Sequence, residues 1–233
     1  MTEAAAGVAA VILDLDGLAL DTEPAYRHAW RRAAQDLGYE LGEDVCATLS
    51  GHHADHVRRE LQRLVGDRFD PARFYPLAES YWYQHLGRHG VPTMAGLEQL
   101  LALLETLGIP YAVATNSDRR YAVECLRRAG MEEALLAVTV CRSDVVHGKP
   151  EPDLILEAAR RLRVAPGRCL VLEDSEAGLT AAVRAGALPV LVQSRTHGER
   201  LKSLARWAFA DLREVAQWLA RSCGRQHETA LPA

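Results

Sequence analysis

Two aspartates, Asp14 and Asp16, follow directly on an apolar run over residues 9–13 and precede Gly17. The run is short and β-branched enough to be a buried parallel strand, so both carboxylates leave the sheet where the chain turns and a ligand can bind. Packing does not account for them, because neighbouring carboxylates resist joint ionisation unless a cation or a cationic side chain compensates. A second acidic pair, Glu173-Asp174, leaves another apolar run and is followed by Ser175-Glu176-Ala177-Gly178. A lone Glu-Asp before a helix is usually a cap. In an open parallel sheet, however, loops from strand carboxyl ends share one crevice, where Asp14, Asp16, Glu173 and Asp174 can converge. Oxygen donors with few nitrogens or sulfurs select a hard cation, and with a phosphate substrate Mg²⁺ is the expected one.

Two further segments carry matching chemistry. The strand over residues 111–114 runs into Thr115-Asn116-Ser117 and then a helix, which places a hydroxyl and free amides where an anion is well bound. The plainer account is that Asn116 or Ser117 caps that helix. Lys149 lies in His147-Gly148-Lys149-Pro150-Glu151-Pro152-Asp153, and Lys149 and Lys202 are the only lysines in a chain rich in arginine. A lysine kept in a rigid Gly/Pro turn suggests a compact point charge; otherwise it is a solvated loop residue. Asp153 is read as structural, holding this turn or the helix start.

These residues need a scaffold that brings strand ends together, and the chain supplies one. Beyond Pro92, helices over residues 96–107, 119–129, 152–162 and 175–185 alternate with strands over 111–114, 137–141, 169–172 and 188–192. Such alternation predicts a parallel sheet with helices on both faces. A short strand over 207–210 and a helix over 212–221 follow, with a frayed polar tail from Ser222. Residues 22–92 read as helices only, over 23–37, 54–65 and 72–86, and form an insertion. The expected organisation is an α/β core of residues 1–21 and 93–233, interrupted by a helical domain of residues 22–92.

Composition narrows the function. The chain has 233 residues, a net charge of -4 and no basic block, so nucleic acid is not an expected partner. The apolar start is cut at Asp14 without a cationic lead, which fits neither a secretory signal nor a membrane span; a cytoplasmic protein is expected. Five widely spaced cysteines, with no Cys-x-x-Cys, argue against disulfides or zinc and for buried small hydrophobes.

The order Asp14-x-Asp16-Gly17-x-x-x-Asp21-Thr22-Glu23-Pro24, then Thr115, Gly148-Lys149-Pro150-x-Pro152-Asp153 and Glu173-Asp174, resembles the haloacid dehalogenase superfamily. The branch is that of β-phosphoglucomutase and small sugar-phosphate phosphatases. The resemblance implies a Rossmann-like three-layer α/β/α core with a small helical cap, and an Mg²⁺-dependent phosphatase. It implies that Asp14 is a nucleophile forming an aspartyl-phosphate and that Asp16 is general acid and then base. Thr115, Lys149 and amides near Leu15 and Asn116 would stabilise the phosphoryl oxygens. Mg²⁺ would be held by the Asp14 carboxylate, the Asp16 backbone carbonyl, Asp174 and Glu173, the last through water if not directly.

The cap would close over the substrate and read its non-phosphate part. The segment Gly51-His52-His53-Ala54-Asp55-His56 falls where the family has a substrate-reading loop, so His52 and His53 are candidate contacts; the alternative is exposed turn residues. Tyr81, Trp82, Tyr83, His85 and Trp30 are expected to pack. Tyr26 stands where the mutases carry a hinge histidine, and His28 is two residues away, which weakens the mutase reading without closing it. The insertion has no lysine for the Schiff base of phosphonate-cleaving relatives, and Asp16 is usually lacking in halide-releasing ones. The expected substrate is a small phosphate monoester: a hexose or pentose phosphate, a nucleoside 5′-phosphate such as pseudouridine phosphate, or phosphoglycolate. A phosphosugar mutase is the alternative, then a noncatalytic binding module, and a monomer or weak dimer is expected.

Overall fold

The Ala10-Val11-Ile12-Leu13 segment has no room for a polar side chain, because all four residues are fully buried and both their faces are covered. In the computed structural model, which describes residues 7–50, 54–192 and 199–228, they form strand β1 (Ala10–Leu13) of a six-stranded sheet. The other strands are β2 (Tyr111–Ala114), β3 (Thr139–Val140), β4 (Cys169–Glu173), β5 (Leu188–Val192) and β6 (Trp207–Phe209). All pair in parallel, in the order β3-β2-β1-β4-β5-β6. The chain builds outward on one side of β1 and then crosses to the other, so the switch point lies at β1, between β2 and β4.

Beyond the helical insertion the chain alternates largely as the apolar periodicity predicts, with helices α5 (Leu97–Thr106), α6 (Arg119–Arg128), α8 (Asp153–Leu162) and α9 (Glu176–Arg184) between strands. One apolar cluster joins Ala10 and Ile12 of β1, Ala112 and Ala114 of β2, Val171 of β4, Leu154, Ile155 and Ala158 of α8, and Ala181 of α9. Val11 and Leu13 point to the opposite face and are buried too, so the sheet is a middle layer. Each fully buried aliphatic side chain contributes about 1.5–3 kcal/mol, so β1 is among the most firmly held segments of the chain.

The structure departs from the sequence reading in several elements. β3 is confined to Thr139–Val140, because Glu132–Leu135 forms helix α7 and a 3₁₀ turn takes up Leu136–Val138. A short helix α10 (Glu199–Leu204) precedes β6, unannounced by any long periodicity. The final helix α11 (Leu212–Glu228) continues through Ser222, which is buried and donates to the Trp218 carbonyl, so the expected fraying point lies inside a helix. Cys46, Cys125, Cys141 and Cys169 are buried and free, as small hydrophobes.

The chain divides into two compact units, Met1–Leu20 with Thr93–Ala233, and Asp21–Pro92. The second is helical: α1 (Glu23–Asp36), α2 (Glu43–Leu49), α3 (Ala54–Val65) and α4 (Pro71–His89). Pro24 lies in the first turn of α1, and Gly38, with φ +81°, follows its carboxyl end. Asp70 caps α4 by accepting from the Ala72 amide at 2.9 Å. Helix α1 packs along α4, and Trp30, Ala33, Leu61, Phe74 and Ala78 share one apolar cluster. Trp30 and Trp82 are core residues, as their helical spacing suggests. No helix among the described residues is long and apolar enough to cross a membrane.

Candidate active site

Asp14, Thr115, Glu173 and Asp174 stand at the carboxyl ends of three adjacent strands, because β1, β2 and β4 are neighbours in register. The Asp14 amide still donates to the Leu172 carbonyl at 3.1 Å, so the backbone is held by the sheet as the side chain leaves it. Lys149 arrives from the turn before α8. Its ammonium donates to Asp14 Oδ1 at 2.5 Å, to Glu173 Oε1 at 2.5 Å and to the Ala114 carbonyl at 2.7 Å. An ammonium has three protons, so these three acceptors use all of them. Lys149 is not a solvated loop residue: its side chain is 3% exposed.

Asn116 explains how the turn is aimed. Its amide donates to the Lys149 carbonyl at 3.1 Å and its carbonyl oxygen accepts from the Lys149 amide at 2.8 Å. Neither Asn116 nor Ser117 caps α6; Asp118 does, accepting from the Tyr121 amide at 2.9 Å. Thr115 is buried, and its hydroxyl accepts from the Ser117 amide at 3.0 Å. Asp153 accepts from the His147 amide at 3.1 Å and so holds the same turn, the structural part its position suggested.

Asp14, Glu173 and Asp174 each bring a carboxylate oxygen within 4.8 Å of the others. Three carboxylates share one ammonium, so the cluster is short of positive charge. Burial, with Glu173 and Asp16 adding to it and Lys149 opposing, pushes the Asp14 carboxyl up to about 7. Burial, then Asp14 and Glu173, raises Asp174 well above the usual carboxylate range. Burial works against the charge on Lys149, but Asp14 and Glu173 more than offset it and hold the ammonium protonated. Such a cluster favours a compensating positive charge, and its all-oxygen donor set suits a hard divalent metal.

Close approach requires glycine at two points beside the carboxylate cluster. A side chain on Gly178 would run into the Glu173 carboxylate, and one on Gly17, whose φ is +81°, into that of Asp174. Glu173 is fully buried; its second oxygen accepts from the Ser175 hydroxyl at 2.9 Å, and that hydroxyl in turn caps α9 at the Gly178 amide, 3.0 Å away.

The Asp16 carboxylate is not part of the three-carboxylate cluster. It accepts from the Ser117 hydroxyl at 2.9 Å and from the Tyr121 hydroxyl at 2.6 Å. Ser117 was visible in the sequence only as a possible cap. Tyr121 carried no signal, because its link to Asp16 spans 105 positions and is made only when α6 packs beside the β1 loop. His52 and His53 lie outside the described residues.

Fold and site together define a doubly wound α/β protein whose switch point carries a carboxylate cluster, a buried lysine and a hydroxyl-held second aspartate. Residues 8–186 match the sequence pattern of the haloacid dehalogenase-like hydrolases. A validoxylamine A 7′-phosphate phosphatase of Streptomyces hygroscopicus subsp. limoneus is 31% identical over 206 residues, 88% of this chain and 94% of its own length. A phosphorylated carbohydrates phosphatase of Thermotoga maritima is 29% identical over 208 residues, 88% of this chain and 95% of its own. The structure of a family hydrolase from Deinococcus radiodurans R1 with bound phosphate and sodium matches with a TM-score of 0.77 at 28% identity, covering 94% of this chain and 97% of that one. The chain belongs to the haloacid dehalogenase-like hydrolase family.

Proposed function

We propose that this protein is an Mg²⁺-dependent phosphatase that hydrolyses the phosphate monoester of a small phosphorylated sugar through an aspartyl-phosphate on Asp14. The observation that carries the reading is the pairing of two differently held carboxylates. Asp14 lies against Lys149 in an electron-rich cluster, while Asp16 accepts from the hydroxyls of Ser117 and Tyr121. Asp14, held against an ammonium beside two other carboxylates, is suited to attack phosphorus. Asp16, with freely rotating hydroxyl partners, is suited to give up and take back a proton.

In the first step an Asp14 oxygen bonds to phosphorus, the bond from phosphorus to the sugar oxygen breaks, and the Asp16 carboxyl protonates that oxygen. In the second, Asp16 removes a proton from water, the water oxygen bonds to phosphorus, and Asp14 leaves as a carboxylate. Lys149, the Thr115 hydroxyl and backbone amides at the start of the loops after β1 and β2 face the charge on the phosphoryl oxygens. Asp14, Glu173 and Asp174, with the Asp16 carbonyl, would hold Mg²⁺, which supplies positive charge against those same oxygens. The helical unit carries the choice of substrate, with His52 and His53 as candidate contacts, and the sugar class follows from what the relatives' names record.

The test is inorganic phosphate release from a panel of hexose, pentose and nucleoside phosphates and phosphoglycolate, with Mg²⁺ and then with chelator. Metal-dependent release concentrated on sugar phosphates is expected. Interconversion of glucose 1- and 6-phosphates without release would replace the reading by a mutase.

Tyr121 and Ser117 then act as positioning residues for Asp16. Tyr121→Phe removes one charge-assisted hydrogen bond and is expected to lower kcat on a sugar phosphate by about tenfold, with KM little changed. On p-nitrophenyl phosphate, whose leaving group needs no proton, single-turnover release of p-nitrophenolate should be nearly unaffected, because Asp16 then acts only on water in the second step. An equal loss in the single-turnover step on both substrates would mean that Tyr121 serves the fold and not Asp16.

A further inference from the structure

The helical unit holds a second cluster of chemistry-bearing side chains, unrelated to the carboxylate centre. Helices α1 and α4 leave between them a cleft of about 350 Å³ lined by His28 and Arg32 from α1 and by Tyr81, Gln84, His85, Arg88 and His89 from α4. The spacing explains the alignment: His28 and Arg32 are one turn apart, as are Tyr81, His85 and His89, so each set forms a single row along its helix. The half-buried His85 ring stands between His28, with centroids 4.7 Å apart, and His89, 4.5 Å apart. The Arg32 guanidinium lies 5.2 Å from the Tyr81 ring centroid. The sequence reading assigned Tyr81 and His85 to packing; Tyr81 does pack, partly buried, against the apolar core of the helical unit, while both side chains also line this cleft.

The lining contains no carboxylate. The acids near these helices already have partners: Asp36 accepts from the hydroxyl of Tyr81, itself a lining residue, so one carboxylate stands at that edge of the cleft, while Glu23 pairs with Arg27 and Glu43 with Arg27 and Arg31. Among the described residues Arg88 has no ion-pair partner, and Arg32 bonds only to Gln35. Burial, then Arg32, His89, Arg31 and Arg88, lowers the pKa of His28; burial, then His28 and His89, lowers that of His85. Three imidazoles and two guanidiniums are thus gathered with one carboxylate at the Tyr81 edge, an excess of cationic groups that opposes protonation of His28 and His85. A cation is the wrong occupant. The arginines repel it, and among the described residues no three histidine nitrogens converge as the Asp14, Glu173 and Asp174 oxygens do.

We propose that the α1–α4 cleft is a binding site for a multiply charged phosphate oxyanion, held by Arg32, Arg88 and the His28–His85–His89 stack. The guanidiniums give planar pairs of donors to phosphate oxygens, and each imidazole becomes a further donor when the anion restores its proton. Binding is therefore linked to proton uptake at His28 and His85: affinity rises as pH falls through the histidine range, because burial and the neighbouring cationic groups disfavour their protonated forms until an anion is bound. The cleft volume suits a small phosphate compound, and every lining residue belongs to the helical unit.

The experiment is a titration of the full-length protein, ¹³C-labelled at histidine and held in chelator, with orthophosphate and then tripolyphosphate; single His→Gln variants assign the ring signals. Tripolyphosphate is expected to shift the His28, His85 and His89 signals saturably, with affinity falling by about tenfold between pH 6 and pH 8. Orthophosphate alone saturating at similar concentration would identify a free-phosphate site, and tripolyphosphate alone a site for a larger polyphosphate-like ligand. The variant with both Arg32→Gln and Arg88→Gln should weaken binding by at least about tenfold while keeping Mg²⁺-dependent turnover within about twofold of the parent. Shifts no larger than those produced by potassium chloride at equal ionic strength, undiminished binding in the double variant, or a saturable response to Zn²⁺ in place of the anion would overturn the proposal. Because the readout is local to these rings, it is independent of whether the carboxylate centre hydrolyses sugar phosphates.

Discussion

Asp14→Asn is expected to lower Mg²⁺-dependent phosphate release by about 10⁴-fold or more, because an amide oxygen at this position is a far weaker nucleophile and no neighbouring group is placed to replace it. The substitution keeps the shape of the side chain and removes one of three crowded carboxylates, so the fold should survive. Its stability profile separates a lost nucleophile from a damaged protein. In the metal-free parent the Asp14 pKa is raised above its unfolded value to about 7. The stabilisation linked to its proton is complete below the ordinary carboxylate range and is lost as pH rises through about 7. Metal-free Asp14→Asn should lack this loss, and its Tm should decline less than that of the parent between pH 5 and pH 8. Turnover within tenfold of the parent would remove Asp14 from the chemistry; a parallel decline in Tm would mean that Asp14 is not the strained group.

Lys149→Met should fail in both respects. Catalytically, it removes the ammonium that faces Asp14 and the phosphoryl oxygens, a loss of about 10²–10³-fold in kcat by analogy with other charge-stabilising donors. Structurally, it strands Glu173, which is fully buried and receives its strongest hydrogen bond from Lys149 at 2.5 Å. Removing one partner of a buried ion pair costs about 3–5 kcal/mol, a fall in Tm of roughly 10 °C for a chain of this size. Adding Glu173→Gln removes the stranded charge while leaving a side chain that can still meet Ser175. The double variant should regain most of the lost Tm and none of the activity. If it stays as unstable as Lys149→Met, the lysine holds the loop through its contact with the Ala114 carbonyl, and the ion pair is secondary.

The same residues show how much of the protein is written along the chain and how much is not. Strand β1 and the two aspartates after it are legible because a fully buried strand allows only apolar side chains, so a carboxylate at its end marks the exit from the sheet. The alternation of helix and strand beyond Pro92 and the helical character of residues 22–92 are local properties of apolar period, and they read correctly. Short elements were missed for the same reason: α7 and α10 span too few residues to show a period, while the strand expected over 137–141 is present but paired over only two residues. The continuation of α11 past Ser222 depends on that residue being buried against its own helix, which its polarity concealed.

The composition of the site was determined by the sequence: Asp14, Asp16, Thr115, Lys149, Glu173 and Asp174, each placed at the end of a strand or in a rigid turn. Their contacts were decided by tertiary structure alone. Only the parallel neighbours β2, β1 and β4 bring Lys149 between Asp14 and Glu173, and only the packing of α6 brings Tyr121 and Ser117 onto Asp16. The stacked histidines of α1 and α4 belong with these, because His28 lies more than fifty positions from His85 and no local pattern links them. Pairing across such distances is set by which faces the apolar core turns together, and that is a property of the folded chain.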